Sequence, residues 1–146
     1  MASRYHLTLL YLGAIASAKT GLLQDLLIHL QTLRLKQFGL SLDRTGHFGS
    51  KVAWIGCTNI PPALQDLHAG LVRSTASAGI VTEQAGAFVP HVTVARDAGS
   101  RWPASGPLQM PIRWPVHDFL LMRSMPSQQF AYRTVARFPL TPAHGD

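Results

Sequence analysis

Two stretches with the same chemistry stand 85 residues apart, His6-Leu7-Thr8-Leu9 and His91-Val92-Thr93-Val94. Each lies in a run that reads as a strand, where residues i and i+2 share a face with Cα atoms about 6.6–6.8 Å apart. One imidazole and one hydroxyl therefore stand side by side in each copy. Leu7, Leu9, Val92 and Val94 turn the other way, toward a core. If the two strands pack together, two imidazoles and two hydroxyls face each other across a groove. That set suits a phosphodiester, with an imidazole on either side of phosphorus and hydroxyls on the non-bridging oxygens. A reference imidazole pKa of about 6.5 makes both the base and the acid form available near neutrality. The residues leave open which histidine plays which part. A single His-x-Thr triplet says almost nothing; the duplication carries the argument.

The rest of the chain agrees with imidazole chemistry. Six Asp and the single Glu83 are all the acids among 146 residues. A paired-carboxylate mechanism or a multi-carboxylate magnesium site has little to draw on. The seven His are at least 18 residues apart, so there is no local zinc-ligand pair. The expectation is no metal and no cofactor. Thirteen Lys and Arg oppose the seven acids for a net +6, and ten of the thirteen are Arg, whose planar fork grips phosphate bidentately. Six of them fall between Arg96 and Arg137 against Asp97 and Asp118 alone, which points to an anionic ligand. Cys57 is the only cysteine, so no internal disulfide can form. It sits in the apolar run Val52–Cys57 and reads as a core thiol.

Apolar residues make up 47% of the chain and charged ones 14%, which excludes disorder and coiled coil. The length and the lack of any linker suggest one domain over residues 1–146. Leucines at 22, 23, 26, 27, 30 and 33 predict a helix within Ala18–Leu35. Tyr5–Leu12 reads as a strand running to a turn at Gly13. Leu40–Leu42 reads as a short strand followed by a loop through Gly46 and Gly49. Lys51–Cys57 is a buried strand. Pro61-Pro62 opens a second helix that ends near Gly79. Phe88–Arg96 is a further strand, and Trp102–Pro111 a loop. Arg113–Arg123 and Gln129–Phe138 form a closing antiparallel pair, joined through Met125–Gln128. The order β-α-β-β, then α-β-β-β, predicts an α+β domain with mainly antiparallel sheet, built as two passes over one theme.

Within this frame Tyr5–Gly13 and Phe88–Arg96 resemble the two signature segments of the RNA 2′,3′-cyclic phosphodiesterases, the 2′-5′ RNA ligases of the 2H phosphoesterase superfamily. Gly46-His47-Phe48, Val52–Gly56, Ser124 and Tyr132 also resemble that family, and the similarity runs from His6 to about Phe138. The resemblance implies a bilobal α+β fold, two pseudo-symmetric antiparallel-sheet lobes with helices outside and a central groove. It implies hydrolysis of RNA or nucleotide 2′,3′-cyclic phosphate ends to a 2′-phosphomonoester, with reversible 2′-5′ ligation in some members. Following the family pattern, His6 is the proton donor and His91 the acceptor. Family members usually carry a strand ahead of the first motif; with His6 so close to the first residue, that strand is expected to be missing.

Thr8 and Thr93 are the expected donors to the phosphoryl oxygens. Phe48 and Tyr132 are candidates to stack on a base. Arg96 follows His91 at i+5, on the opposite face of a regular strand, and reaches the ligand only if a twist or bulge turns it; otherwise it serves a structural ion pair. Two further readings fail on the same residues. Arg4, Leu7–Ile15 and Ala16-Ser17-Ala18 look like a secretory signal, yet cleavage there would remove half of a duplicated site. Gly13–Thr20 approaches a phosphate-binding loop, but Ala18 stands where the second glycine is needed. No segment is long and apolar enough to span a bilayer. The expected state is a cytoplasmic monomer acting on RNA or a nucleotide. The alternatives are a non-catalytic RNA-binding module, or a relative acting on small cyclic nucleotides or 2′-5′ linkages.

Overall fold

A computed structural model describes residues 5–15, 19–83, 87–97, 104–125 and 132–142. In chain order these residues form α1 (Thr20–Thr32), β1 (Phe38–Phe48), β2 (Val52–Gly56), α2 (Pro62–Ser77), β3 (His91–Arg96), β4 (Gly106–Val116), β5 (Asp118–Ser124) and β6 (Tyr132–Pro139). A four-stranded antiparallel sheet has the order β3-β2-β1-β4, and β5 pairs with β6 in a second sheet. The architecture is α+β with two antiparallel sheets, as expected, although one sheet has four strands and the other two.

Both helices follow from the leucine spacing. α1 buries Leu26 and Leu30, and α2 buries Leu64, Leu67 and Leu71. Each fully buried leucine contributes about 1.5–3 kcal/mol relative to an exposed one. α2 begins with Pro62 in its first turn, where a missing N–H costs nothing. It stops at Gly79, whose φ of 79° only glycine adopts freely. The Ile80 N–H then reaches back to the Thr75 carbonyl at 2.9 Å, and Ile80 is buried beneath the turn. One core cluster links both sheets, running from these leucines through Leu40, Leu42 and Val92 to Phe119 and Phe138. The last two rings stack at 5.0 Å across β5 and β6.

Four elements differ from the sequence reading. The strand expected at Leu40–Leu42 runs on to Phe48, because Gly46 is a strand residue that makes room for an indole rather than a loop glycine. The strand expected over Arg113–Arg123 breaks at His117 into β4 and β5, which belong to different sheets. β4 also starts inside the expected loop, at Gly106, despite Pro107, Pro111 and Pro115. It lies at a sheet edge, where proline is tolerated because the outward N–H groups have no partner. Tyr5–Leu12 is strand-like only at Leu7, which bridges Val92, and the chain bends at Leu9. The Met125–Gln128 connection and the Gly13–Thr20 loop fall partly outside the described residues.

His68 of α2 stacks flat on Phe88, ring centroids 4.1 Å apart and 4° from parallel. This contact docks the helix on the segment that enters β3. Burial holds the His68 pKa below its ordinary 6.5. The unfolded chain therefore takes up this proton first as pH falls through about 6.5, and the stability contributed by neutral His68 drains away below that pH. Thermal melts of wild type and His68→Phe at pH 7.5 and 5.5 check this. Wild type is expected to lose more Tm over the interval; equal losses would discard the effect.

Candidate active site

One backbone contact brings the two motifs together. Leu7 bridges Val92 in antiparallel sense at the free edge of β3, and both side chains join the core. Continued by one residue either way, an antiparallel pair centred there would set His6 beside Thr93 and Thr8 beside His91. All four would then project from the side opposite Leu7 and Val92. Directly opposed Cβ atoms are about 4.5–5.5 Å apart, and the diagonal between His6 and His91 spans about 7–8 Å.

Local structure fixes His91 closely. Its Nδ1 lies 2.7 Å from the Val89 carbonyl oxygen, which can only accept, so Nδ1 carries the hydrogen. That leaves Nε2 as the nitrogen with a lone pair in the neutral ring. The bond forms because the strand enters tightly: Gly56 sits opposite His91, and a Cβ there would lie 2.9 Å from the Pro90 carbonyl oxygen.

Both imidazoles lean on aromatic edges in matching geometry. His91 meets Phe48 at 4.7 Å and 86°, and His6 meets Tyr132 at 4.6 Å and 65°. The sequence reading gave Phe48 and Tyr132 to a base. The structure sets each against a histidine while leaving both about 40% exposed.

The position of Arg96 depends on one extra residue. Val52 pairs with Arg96, Ala53 with Ala95 and Trp54 with Thr93, so Val94 is an insertion in β3. A bulge of this kind reverses the alternation of side chains beyond it. Val92 and Val94 pack toward the core, and Arg96 returns to the face of His91 and Thr93. The next residue, Asp97, takes a left-handed φ of 56° and its N–H closes on the Lys51 carbonyl at 2.7 Å, ending the strand there. The opposite-face placement expected of a regular strand is thereby corrected.

Sequence reasoning missed two residues on this face. Trp54 lies flat on the sheet, 5% exposed, over the positions of Gly46 and Gly56. Its ring is 5.4 Å from Phe48 and 6.0 Å from His91. Its Nε1–H is buried and has no hydrogen-bond partner among the described residues, so packing alone holds the indole. Arg44 places its guanidinium 5.2 Å above that indole. Both follow from cross-strand register, which no local spacing reveals; the glycines two residues from Trp54 on one strand and opposite it on the next were the available signal.

The remaining candidates fall elsewhere. Asp43 accepts from the Thr58 N–H and hydroxyl at 2.8 and 3.0 Å, and Asp118 pairs with Arg137 at 2.7 Å. Cys57 is buried and free, and burial pushes its thiol pKa up, as suits a core residue. Among the described residues no three His, Cys, Asp or Glu side chains group closely enough to hold a metal ion. None of the described helices is long and apolar enough to cross a membrane.

An α+β fold of two antiparallel sheets in which a backbone bridge joins two His-x-Thr motifs defines a class of phosphoesterase-like proteins. Residues 2–125 match the model of the 2′-5′ RNA ligase superfamily, and the chain belongs to that family. It is similar to the RNA 2′,3′-cyclic phosphodiesterase of Escherichia coli strain K12, 35% identical over 100 residues. That match covers 66% of this chain and 53% of the relative, so the chain spans about half the length of the curated protein it matches. Among solved structures, E. coli LigT complexed with 3′-AMP superposes with a TM-score of 0.80 at 29% identity, covering 97% of this chain and 79% of that one. A Thermus thermophilus protein superposes at 0.75 and 27% identity, with 97% and 80% covered.

Proposed function

We propose that this chain hydrolyses 2′,3′-cyclic phosphate ends of RNA or nucleotides to 2′-phosphomonoesters by a two-histidine mechanism without a metal. The observation that carries this reading is the Leu7–Val92 bridge, which opposes the two motifs. In the proposed step His91 Nε2 removes a proton from water as its oxygen bonds to phosphorus. The bond from phosphorus to the 3′ oxygen breaks, and cationic His6 gives that oxygen a proton. The diagonal spacing of about 7–8 Å leaves room for phosphorus between the rings, with attacking and leaving oxygens in line. The Thr8 and Thr93 hydroxyls donate to the non-bridging oxygens, and Arg96 offsets the charge that gathers there. The exposed faces of Phe48 and Tyr132 receive the base. E. coli LigT has been crystallised with 3′-AMP, which fits a groove that accepts a nucleotide. The same step with the 5′-hydroxyl of a second RNA end in place of water would join the two ends through a 2′-5′ linkage, and its reversal would cleave that linkage to the cyclic phosphate. We read the protein as a cytoplasmic monomer folded as one domain.

The test is an assay of the purified chain with EDTA on a nucleoside 2′,3′-cyclic phosphate. A 2′-phosphate product is expected at a rate unchanged by the chelator. Loss of turnover in EDTA, restored by a divalent ion, would overturn the metal-free mechanism. Binding without turnover would favour an RNA-binding module.

A further inference from the structure

Arg44 has no part in the step just described, yet the fold holds its charge on the same face. It lies in one row with Gly56 and His91, paired across β1, β2 and β3. At about 4.8 Å per strand, its Cα stands roughly 10 Å from that of His91. Gly56 leaves the middle of the row bare. The guanidinium lies over the Trp54 indole, 5.2 Å from the ring centre, and the indole is itself pinned on Gly46 and Gly56. Among the described residues the one ion pair is Arg137–Asp118, and Arg44 makes no hydrogen bond. The cation–π contact thus holds the guanidinium in place without using its N–H donors in a hydrogen bond among the described residues, and its fork suits bidentate capture of a phosphate.

We infer that Arg44 binds the phosphodiester one step upstream of the cyclic end, so that the groove prefers an oligonucleotide to a mononucleoside cyclic phosphate. The inference rests on the proposed function. The cyclic phosphate already has two imidazoles, two hydroxyls and Arg96, and Arg44 lies two strands away. An anion bound there belongs to the next backbone unit. The contact with the indole also separates this role from a loose surface charge, and a lysine there could supply charge but not the fork.

The experiment compares kcat/KM for a nucleoside 2′,3′-cyclic phosphate with that for a trinucleotide ending in the same cyclic nucleotide. It uses wild type, Arg44→Gln and Arg44→Lys, each checked by thermal melting. Wild type is expected to prefer the trinucleotide. In Arg44→Gln the preference should fall about tenfold or more, through KM. Arg44→Lys should recover only part of it, since the charge returns without the fork. The slope of log kcat/KM against log salt for the trinucleotide should lose about 0.7, the value for one single-strand phosphate contact. An unchanged preference in Arg44→Gln, whether both rates fall or neither does, overturns the inference. Wild-type turnover of the mononucleoside separately tests the proposed function. If wild type turns over neither substrate, titration of a trinucleotide ending in a 2′-phosphate still decides. A salt slope equal in wild type and Arg44→Gln removes the contact, and a shallower slope in the variant retains it.

Discussion

His91→Ala is expected to lower kcat on a 2′,3′-cyclic nucleotide by about 10²–10⁴, and His6→Ala by a similar factor, the usual contribution of one positioned acid or base. Neither change should disturb the fold. Both imidazoles are only partly buried, and the strand pairing beneath them runs through Leu7 and Val92. Binding of the 2′-phosphate product should fall far less than turnover, because Thr8, Thr93 and Arg96 remain. The double variant should be little slower than the worse single one, since an acid without its base completes no turnover. Steady-state rates with product titrations decide this. Either single variant keeping more than a tenth of wild-type kcat would remove that histidine from the mechanism.

Gly46→Ala carries the other large effect. A Cβ at Gly46 would fall inside the contact radius of three indole atoms of Trp54, Cζ2, Cη2 and Cε2. The indole has nowhere to go: Gly56 lies under its other edge, with Phe48 and Arg44 packed against it. Overpacking of this kind costs about 1–3 kcal/mol, which lowers Tm by roughly 3–12 °C for a domain of this size. Trp54 also touches His91, so the rate should drop with the stability. Gly39→Ala is the control, because a Cβ there meets nothing within 4 Å. A Gly46→Ala protein melting with wild type would show that the tryptophan is free to tilt away.

The duplicated motif was legible because its information is local: two residues of a strand share a face wherever that strand lies. The helices were legible for the same reason, through leucine spacing. Arg96 was half legible. Its number in the chain set it on the wrong face, and one inserted residue, Val94, put it on the right one. Bulges are fixed by the partner strand's register, which one strand's sequence does not carry. Trp54 and Arg44 needed that register as well, since each is defined by what lies across from it. Only the second half of β4 was legible, because the Pro- and Gly-rich Trp102–Pro111 reads as loop, and the meaning of proline changes at a sheet edge.

Those prolines have a consequence for the protein in crowded solution. β4 exposes Met110, Ile112 and Trp114 along an unpaired edge, the kind of surface on which a second chain could add a strand and begin to polymerise. Pro107, Pro111 and Pro115 recur every four residues. Each proline lacks an N–H, so the row of donors along the edge is interrupted at three places, and the pairing with β1 itself shifts register between Leu42 and Arg44. Phe38–Leu42 still pairs with Ile112–Val116, while an incoming strand would meet a broken and irregular ladder. The edge stays apolar without becoming a template for aggregation.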